Sequence, residues 1–546
     1  MSSRGSISAF ILAFTLAVVV PGAATGPASA APKRSAPLVS LVSLVSAGTN
    51  QTSTTDDFMS DLDNGTGLPP SRGTSGVEQL KKTQDSRGTA TTLRSTAATV
   101  PAVPLAPFHI SGIVQRAVPV GQRPYENGPI PNGLVDSTGV RMFKLAGDPT
   151  VYNHPVGQAN LAIALLDNYR RTGNTTYLRR AEANAQRLID RRVESRDGWY
   201  YPYDFDFAVL GDTTQTLKAP WYSGMAQGVA LSAFTRLYQV TKDPAWKDAA
   251  DATFASLNTG PVSGEPFGSW VSTTGDLWLE EYPRWPVERS ERVLNGHIYA
   301  AFGVYDYAQL TGSADAMRLY DGALTTVTHY LMSQFRTPQW ASLYSLRHHT
   351  PTTTYHQKHV LQMLSLQHQT GNPIYTTWAK TLRDDYPERT SNGFGVFTPS
   401  TTVIYQLNAA SQVVRTRAVK FTRSTGAPVS RRERAYGRSI MLYVSAGAYS
   451  GWWFPEAYTK ARIRGAVDVH SYDPALRATF ASGTSVIAYK YDSRNQLVSY
   501  KRLTFTGQSQ APVTKSAIVD GRLAYYLPIG AFAGHWVGAT SGLTVR

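Results

Sequence analysis

One pattern returns four times between Pro155 and Tyr386, and it limits the possible folds more than any other feature of the chain. An apolar run ends at a polar turn and is followed by a more charged run: LLDNYRRTGNTTYLRRAEANAQRLI, FTRLYQVTKDPAWKDAADATFASL, VYDYAQLTGSADAMRLYDGALTTV and LSLQHQTGNPIYTTWAKTLRDDY. The turns fall at Thr172, Thr241, Thr311 and Thr370, and in three of them a glycine follows, suited to the left-handed conformation that ends a helix. Within the first runs apolar residues recur at helical spacing, as in Val229, Ala233 and Leu237 or Ile298, Phe302 and Tyr305. Repeats 59 to 70 residues apart predict stacked helical hairpins. The long connections at 188–220 and 258–294 hold room for β hairpins, which favours a closed α/α toroid over an open solenoid. The segments 152–158, 222–227, 295–297 and 355–359, each just before an inner helix, then converge at one end of the ring. Helix N-termini gathered there favour an anionic ligand.

Beyond Pro387 the pattern changes to period-two alternation with Gly and Ser turns, which predicts strands. This region also repeats. FTPSTTVI at 397 answers FASGTSVI at 480, SQVVRTRAVKFT at 411 answers NQLVSYKRLTFT at 495, and GRSIMLYVSAGAYSGWW at 437 answers GRLAYYLPIGAFAGHW at 521. A period of 83 to 84 residues implies two tandem β-sandwich-like modules, 396–466 and 467–546. Residues 397–546 hold 19 Lys plus Arg against 6 Asp plus Glu, so a net +13 of the whole chain's +15 lies here. Such a surface attracts polyanions, although a positive balance alone is also ordinary solubilising charge.

The N-terminus has a different character. Arg4 precedes an apolar run from Ile7 to Val20 and the small residues Ala28, Ser29 and Ala30, the pattern of an export signal removed after about Ala30. Residues 31–105 are rich in Ser, Thr, Ala and Gly, a composition that buries too little apolar surface to order itself. The expectation is a secreted, extracellular protein with a disordered linker, then the α/α toroid-like domain over 106–395. The chain has no cysteine, so disulfides and thiolate chemistry are excluded. No nucleic-acid-binding module is recognisable, which together with export argues against a nucleic-acid partner. The fold class is therefore α+β multidomain: an α/α toroid-like domain with β-hairpin insertions, followed by the two β modules.

The densest proton chemistry lies at 342–359, SLYSLRHHTPTTTYHQKH, where two tyrosines, an arginine and four histidines gather ahead of a predicted helix. Each residue has a structural alternative. A tyrosine is commonly core, a glutamate such as Glu280 or Glu281 commonly a solvated loop charge, and the HxxH of His356 and His359 lacks the glutamate of a zinc-protease motif.

As an ordered set these segments are more informative. WLEEYP at 278, VLNGHIYAAFGVYDYAQLTG at 293, SLYSLRHHTPTTTYHQKHVLQMLSLQHQTG at 342 and, less specifically, WYSGMAQG at 221 resemble the C-terminal catalytic region of the D-glucuronyl C5-epimerases, which act on heparosan and related uronic-acid polymers. The likeness spans roughly 150–390. It implies Glu281, Tyr282, Tyr344, Arg347 and Tyr355 as the catalytic group and, more loosely, Tyr152 on the substrate side; Gln158, Tyr222, Gln227, Asn295, His348 and His356, on or ahead of the inner helices, are expected there too. It implies no catalytic metal and no cofactor; a structural Ca²⁺ in the long connections stays open. The implied partner is an anionic uronic-acid polysaccharide, with a cell-surface polymer on the basic C-terminal modules as a further expectation. Ser345 stands where the animal enzymes have Asp.

The chemistry can be reasoned independently of the resemblance. Inverting C5 of a uronate removes a hydrogen beside a carboxylate and returns one to the opposite face. A planar Arg347 suits the carboxylate, and two proton carriers must face each other across the ring. A tyrosine serves as base near neutrality only if a cation lowers its pKa, and Arg347, three residues from Tyr344, is the expected cation. Glu281 is one candidate carrier, with Tyr282, Tyr344 or Tyr355 as partner. A polysaccharide lyase, which starts with the same proton removal, and a noncatalytic polysaccharide-binding protein are the alternatives.

Overall fold

The computed structural model describes residues 100–123, 130–388, 390–409, 412–435 and 439–546. The export segment, its cleavage point and residues 31–99 of the linker lie outside the described residues. The four hairpins consist of eight helices: α1 (Pro155–Thr172) with α2 (Thr175–Arg191), α3 (Gly224–Thr241) with α4 (Pro244–Leu257), α5 (Leu294–Thr311) with α6 (Ala314–Tyr330), and α7 (Thr353–Thr370) with α8 (Ile374–Asp385).

The four turns are built alike, and the threonine explains why. In each, the last helical residue is the threonine, and its hydroxyl donates to the carbonyl four residues back: Thr172 to Asn168, Thr241 to Leu237, Thr311 to Tyr307 and Thr370 to Leu366, at 2.7–2.9 Å. The same oxygen accepts from the amide two residues on, at Asn174, Asp243, Ser313 and Asn372. One side chain thus closes the first helix and positions the residue whose own side chain caps the second. The residue between them is left-handed, as Gly173, Lys242, Gly312 or Gly371. Lys242 takes this conformation, at φ 61°, without the steric freedom of glycine.

The first helix of each pair is buried on most sides over its N-terminal turns, whereas α2, α4 and α8 bury only a stripe; α6 is the exception, buried at every position from 319 to 327. Inner helices pack in chain order, α1 on α3 and α3 on α5, with α5 meeting α7 less extensively. The α3–α5 crossing is close because Gly228 faces Ala300 and Gly303 faces Gly228, where a Cβ would overlap backbone. No comparable packing joins α7 back to α1, so among the described residues the hairpins form a partial toroid rather than the closed ring expected. An extended arm, 100–123, runs across these helices. Its Ser111 and Gly112 amides donate to Asp321, Arg116 bonds the backbone of α7 through His368 and Gln369, and the Val118 amide donates to Tyr305.

Two hairpin insertions project from the connections, β3–β4 after a first short pair. In chain order these strands are β1 (Met142–Phe143), β2 (Tyr152–Asn153), β3 (Val193–Ser195), β4 (Gly198–Tyr200), β5 (Ser269–Val271) and β6 (Leu277–Leu279); β3–β4 lies between α2 and α3, and β5–β6 between α4 and α5.

The C-terminal region forms two seven-stranded antiparallel sheets. The first contains β7 (Thr390–Phe397), β8 (Ser400–Leu407), β9 (Val413–Phe421), β10 (Thr425–Arg434), β11 (Ile440–Val444), β12 (Trp453–Pro455) and β13 (Ala461–Ile463). The second contains β14 (Ala466–Phe480), β15 (Ser485–Tyr491), β16 (Leu497–Thr504), β17 (Ser509–Val519), β18 (Arg522–Leu527), β19 (His535–Gly538) and β20 (Leu543–Val545). Their orders, β13-β7-β10-β11-β12-β8-β9 and β20-β14-β17-β18-β19-β15-β16, are the same when strands are matched along the sequence repeat. Each is one continuous sheet rather than two separate ones, and it folds over on itself. Phe397 and Phe421 lie on strands five places apart in the order, which on a flat sheet means about 24 Å; their rings nevertheless stack at 5.6 Å. The equivalent pair, Phe480 and Phe505, stacks at 4.4 Å.

The sheets join the helical region through buried polar contacts. Arg383 of α8 bonds the Asp468 carbonyl and lies 3.4 Å from its carboxylate, while Arg432 pairs with Glu456 and approaches the same Asp468. Gln367 of α7 donates to the Pro474 carbonyl.

Candidate active site

The stretch 342–347 owes its position to a neighbouring strand-like segment. Leu294 donates to the Tyr344 carbonyl, Leu346 to that of Arg292 and Arg347 to that of Glu291, so 344–347 runs antiparallel to 291–294 at the start of α5. The loop then doubles back, with the Tyr344 amide on the Thr350 carbonyl, and enters α7 under a Thr352 cap. This brings WLEEYP, SERVLNGH and SLYSLRHH to one place.

At that place Glu281, Tyr282, Tyr344 and Tyr355 are all buried. The Tyr344 hydroxyl donates to Glu281 Oε1 at 3.4 Å and lies 3.2 Å from the Tyr282 hydroxyl; the Tyr344 and Tyr355 rings are 5.0 Å apart. The other Glu281 oxygen makes no hydrogen bond. It fits because position 296 is glycine: a Cβ there would overlap Glu281 Oε2. Aromatic contacts link this cluster to the other inner-helix N-termini. His154, which caps α1, packs on Tyr203 at 5.5 Å, Tyr203 stacks on Trp221 at 3.9 Å, and Trp221, just before α3, lies 5.9 Å from Tyr282.

Burial sets the proton affinities. Removal from water raises Glu281 to about 8, with the Glu280 charge adding to the rise and the Tyr282 and Tyr344 hydroxyls opposing it. Glu280 rises to about 7 for the same first reason, although it accepts from the Tyr282 and Arg292 amides and from the Trp270 indole. Tyr282 and Tyr344 are pushed well above 10 by burial and then by the Glu281 charge. The expected lowering of Tyr344 by Arg347 is not among its main influences: after burial, Glu281, Tyr355 and Glu291 favour its protonated form, and only the Tyr282 hydrogen bond opposes them.

Arg347 is instead drawn to Glu291, a fully buried carboxylate that sequence reasoning did not single out. Arg347 Nε stands 3.9 Å and Arg284 Nη2 3.5 Å from Glu291 Oε1, both too long for hydrogen bonds. His348 Nδ1 takes the other oxygen at 2.7 Å and its Nε2 lies 3.4 Å from Asp212. Two guanidiniums are thus held beside one carboxylate without being saturated by it. The Nε of each makes no hydrogen bond, and neither polar atom of the buried Asn295 side chain has a partner. Arg284 was within reach of the sequence, two residues after Tyr282; Glu291, in a polar connection, carried no signal.

A cleft of about 540 Å³ opens beside this group, lined among others by Lys218, Trp221, Tyr222, Arg284, Trp285 and Arg289. Trp221 belongs both to its wall and to the packing around Tyr282. Tyr222 reaches the cleft with its ring 5.9 Å from Tyr200, and burial raises its hydroxyl to about 12.

Other residues expected on the substrate side have local duties. Gln158 donates to the Arg141 carbonyl and to Asn153, and Gln227 donates to the Trp199 carbonyl and Ser256 while accepting from the Tyr201 amide. His356 accepts from the Ser342 amide and reaches the Leu382 carbonyl, so it holds the loop to α8, with burial lowering it to about 4. His359 also lies on Ser342, through its hydroxyl. The Tyr152 hydroxyl donates to Asp148 and its ring packs on Phe205.

Chemically, groups within 3.4 Å of one another cannot flank a sugar ring, since each carrier needs about 3–3.5 Å to its own face. Glu281, Tyr282 and Tyr344, linked through the Tyr344 hydroxyl, could therefore serve only one face of a ring, and a carrier for the opposite face would have to be another group.

Residues 194–384 match the family model described as the D-glucuronyl C5-epimerase C-terminus. Over 124 residues the chain is 35% identical to the D-glucuronyl C5-epimerase of Caenorhabditis elegans, covering 22% of this chain and 18% of that protein. Over 183 residues it is 27% identical to an uncharacterized protein of Methanocaldococcus jannaschii, covering 33% of this chain and 56% of that one. The chain thus spans less than two thirds of the length of either. Among solved structures, a sugar epimerase from a ruminal bacterium aligns at 14% identity with a TM-score of 0.36, over 46% of this chain and 64% of that one. The cellobiose 2-epimerase of Bacillus thermoamylovorans aligns at 14% identity and 0.33, over 48% and 64%.

Proposed function

We propose that this chain, whose residues 194–384 belong to the D-glucuronyl C5-epimerase C-terminal family, inverts C5 of D-glucuronate residues in a polysaccharide, giving L-iduronate. The observation that carries the reading is the buried cluster in which Glu281 meets two tyrosine hydroxyls while two unsaturated arginines stand beside it. The uronate carboxylate approaches Arg347 and Arg284 from the cleft, and they take up the charge that builds on it as the C5 hydrogen leaves. Glu281, more basic than an ordinary carboxylate, receives that proton when ionised, and Tyr344 stabilises the ionised form by donating to it. A tyrosine held protonated returns a proton to the other face; Tyr355 and the cleft-lining Tyr222 are the two candidates. This chemistry requires no cofactor.

The basic sheets hold the anionic polymer or anchor the protein to a cell-surface polymer. Part of their charge is already committed, as where Arg431 lies over Tyr443 and Trp453 and Arg522 over Tyr458. Arg415, Arg417 and Lys420 on the edge strand β9 are exposed, with Arg415 and Arg417 more distantly over Trp452 and Tyr449. Export through the N-terminal segment, with removal after about Ala30, belongs to the same reading.

The test is incubation of uronic-acid polymers in D₂O. An epimerase incorporates deuterium at C5 and converts part of the glucuronate to its epimer. A lyase, the reading that shares the first step, shortens the polymer and creates an unsaturated uronate absorbing in the ultraviolet. Cleavage with that absorbance, or no exchange on any uronic-acid polymer, overturns the proposal. Tyr222→Phe and Tyr355→Phe locate the second carrier: its loss abolishes inversion while exchange persists from one epimer alone.

A further inference from the structure

We propose that His109, Asp276 and His329 form a site for one borderline transition-metal ion, such as Zn²⁺, that staples the N-terminal arm to the helical domain. Three chain segments meet there. His109 lies on the arm, Asp276 at the turn of the β5–β6 hairpin and His329 in the last turn of α6. The three ligand atoms lie within 4.8 Å of one another. His329 Nδ1 is 2.6 Å and His109 Nδ1 3.8 Å from Asp276 Oδ1. A tetrahedral zinc ion with bonds of about 2.0–2.1 Å spaces its ligand atoms about 3.3 Å apart. The His329 separation must open by about 0.7 Å, the His109 separation close by about 0.5 Å, and the two imidazole nitrogens, within 4.8 Å of each other, come to the same spacing, changes within the reach of side-chain rotation. Both imidazoles are largely exposed and free to make it, while the carboxylate is buried.

The surroundings are already organised. Oδ2 of Asp276 accepts from the Thr274 hydroxyl at 2.6 Å and the Tyr330 hydroxyl at 2.9 Å, which turns Oδ1 toward the two imidazoles. The His109 amide donates to the Gly275 carbonyl at 2.9 Å, so the arm's backbone is registered on the hairpin at this residue. Two nitrogens and one oxygen suit zinc, nickel or cobalt; calcium requires six to eight oxygens. This differs in class from the structural calcium that the long connections left open. The proposal uses none of the residues on which the epimerase reading rests.

The full chain, stripped by a chelator and desalted, is titrated with Zn²⁺ by calorimetry and melted with and without it. The expected result is a site of one ion per chain whose affinity falls at least tenfold in both His109→Ala and His329→Ala, with a zinc-dependent rise in melting temperature seen only in the parent. In chelator, His109→Ala melts with the parent, which separates a metal site from a simple His–Asp hydrogen bond. Zinc also slows protease cleavage within 100–108. Binding unchanged by either substitution, or Ca²⁺ matching Zn²⁺, overturns the proposal.

Discussion

The helical region and the paired sheets bury different things. Glu280, Glu281, Glu291, Asn295, His297 and His359 are all inside the helical region, and several of their polar atoms have no partner. The sheets bury phenylalanine, valine, leucine and tryptophan in their own cores; their buried charges include Arg432 and Glu433, and Arg432 meets the Asp468 carboxylate at the seam with α8. Buried polar atoms are normally hydrogen-bonded, so a concentration of unpartnered ones in one region marks where stability has been given up for chemistry. The sheets instead keep their charge on the surface, where it is available for long-range attraction but contributes little to stability.

The largest effect should follow from Glu281→Gln. Loss of the carrier is expected to lower deuterium exchange by roughly 10³-fold or more, about 4 kcal/mol of barrier. Stability should move the other way. A carboxyl whose folded pKa is raised to about 8 from an ordinary value near 4.5 is protonated in the native state while the unfolded chain has ionised. Stability is therefore lost as pH rises from about 4.5 to about 8 and is flat beyond. Glutamine removes that slope, so at pH 8 the variant should melt above the parent, by about 1–3 kcal/mol of stability. Activity of the parent should rise with pH toward about 8, as Glu281 ionises. A variant that melts lower at pH 8 would contradict the burial of charge on which the comparison rests.

Phe397→Ala tests the other side. Removing one of the stacked rings that close the first sheet should destabilise it by about 3 kcal/mol, with exchange activity at low temperature unchanged. A proportional loss of activity would mean that the two regions are not separable in function.

Arg347→Lys keeps the charge but loses the planar contact, and should lower turnover by more than tenfold, above ~1.4 kcal/mol. Full activity in this variant removes its role at the carboxylate. The smallest effect is expected from replacing Arg415, Arg417 and Lys420 together by Ala. Retention on an immobilised polyanion should weaken several-fold at low salt and converge with the parent as salt rises, because exposed charges are screened within about 10 Å at 0.1 M. Unchanged retention would remove β9 from the binding surface.

Much of the architecture was written locally and could be read from the sequence. The hairpins end at the threonines where the turns were expected, because helix end and next cap are specified within three residues. The sheet repeat was likewise visible, since equivalent strands carry equivalent patterns. What escaped was set by contacts distant in sequence. The ring stays open because of how α7 stands relative to α1, which no local pattern encodes. Gln158, Gln227 and His356 were assigned to the substrate from their place ahead of inner helices, yet their polar atoms satisfy loop backbone. Glu291 escaped for the opposite reason: a glutamate between Ser290 and Arg292 resembles a solvated loop charge, and only the pairing of 291–294 with 344–347 carries it inside.

Gly296 began as part of a helix start and ended as the neighbour that lets Glu281 occupy its place. It therefore offers a filter for sequences rather than for structures. In any descendant of this fold a side chain at this position and a glutamate at the equivalent of Glu281 exclude each other in this geometry. Lineages that replace the glycine should be those that have also abandoned the glutamate, whatever polymer their relatives act on, and a survey of paired positions would reveal that as mutual loss.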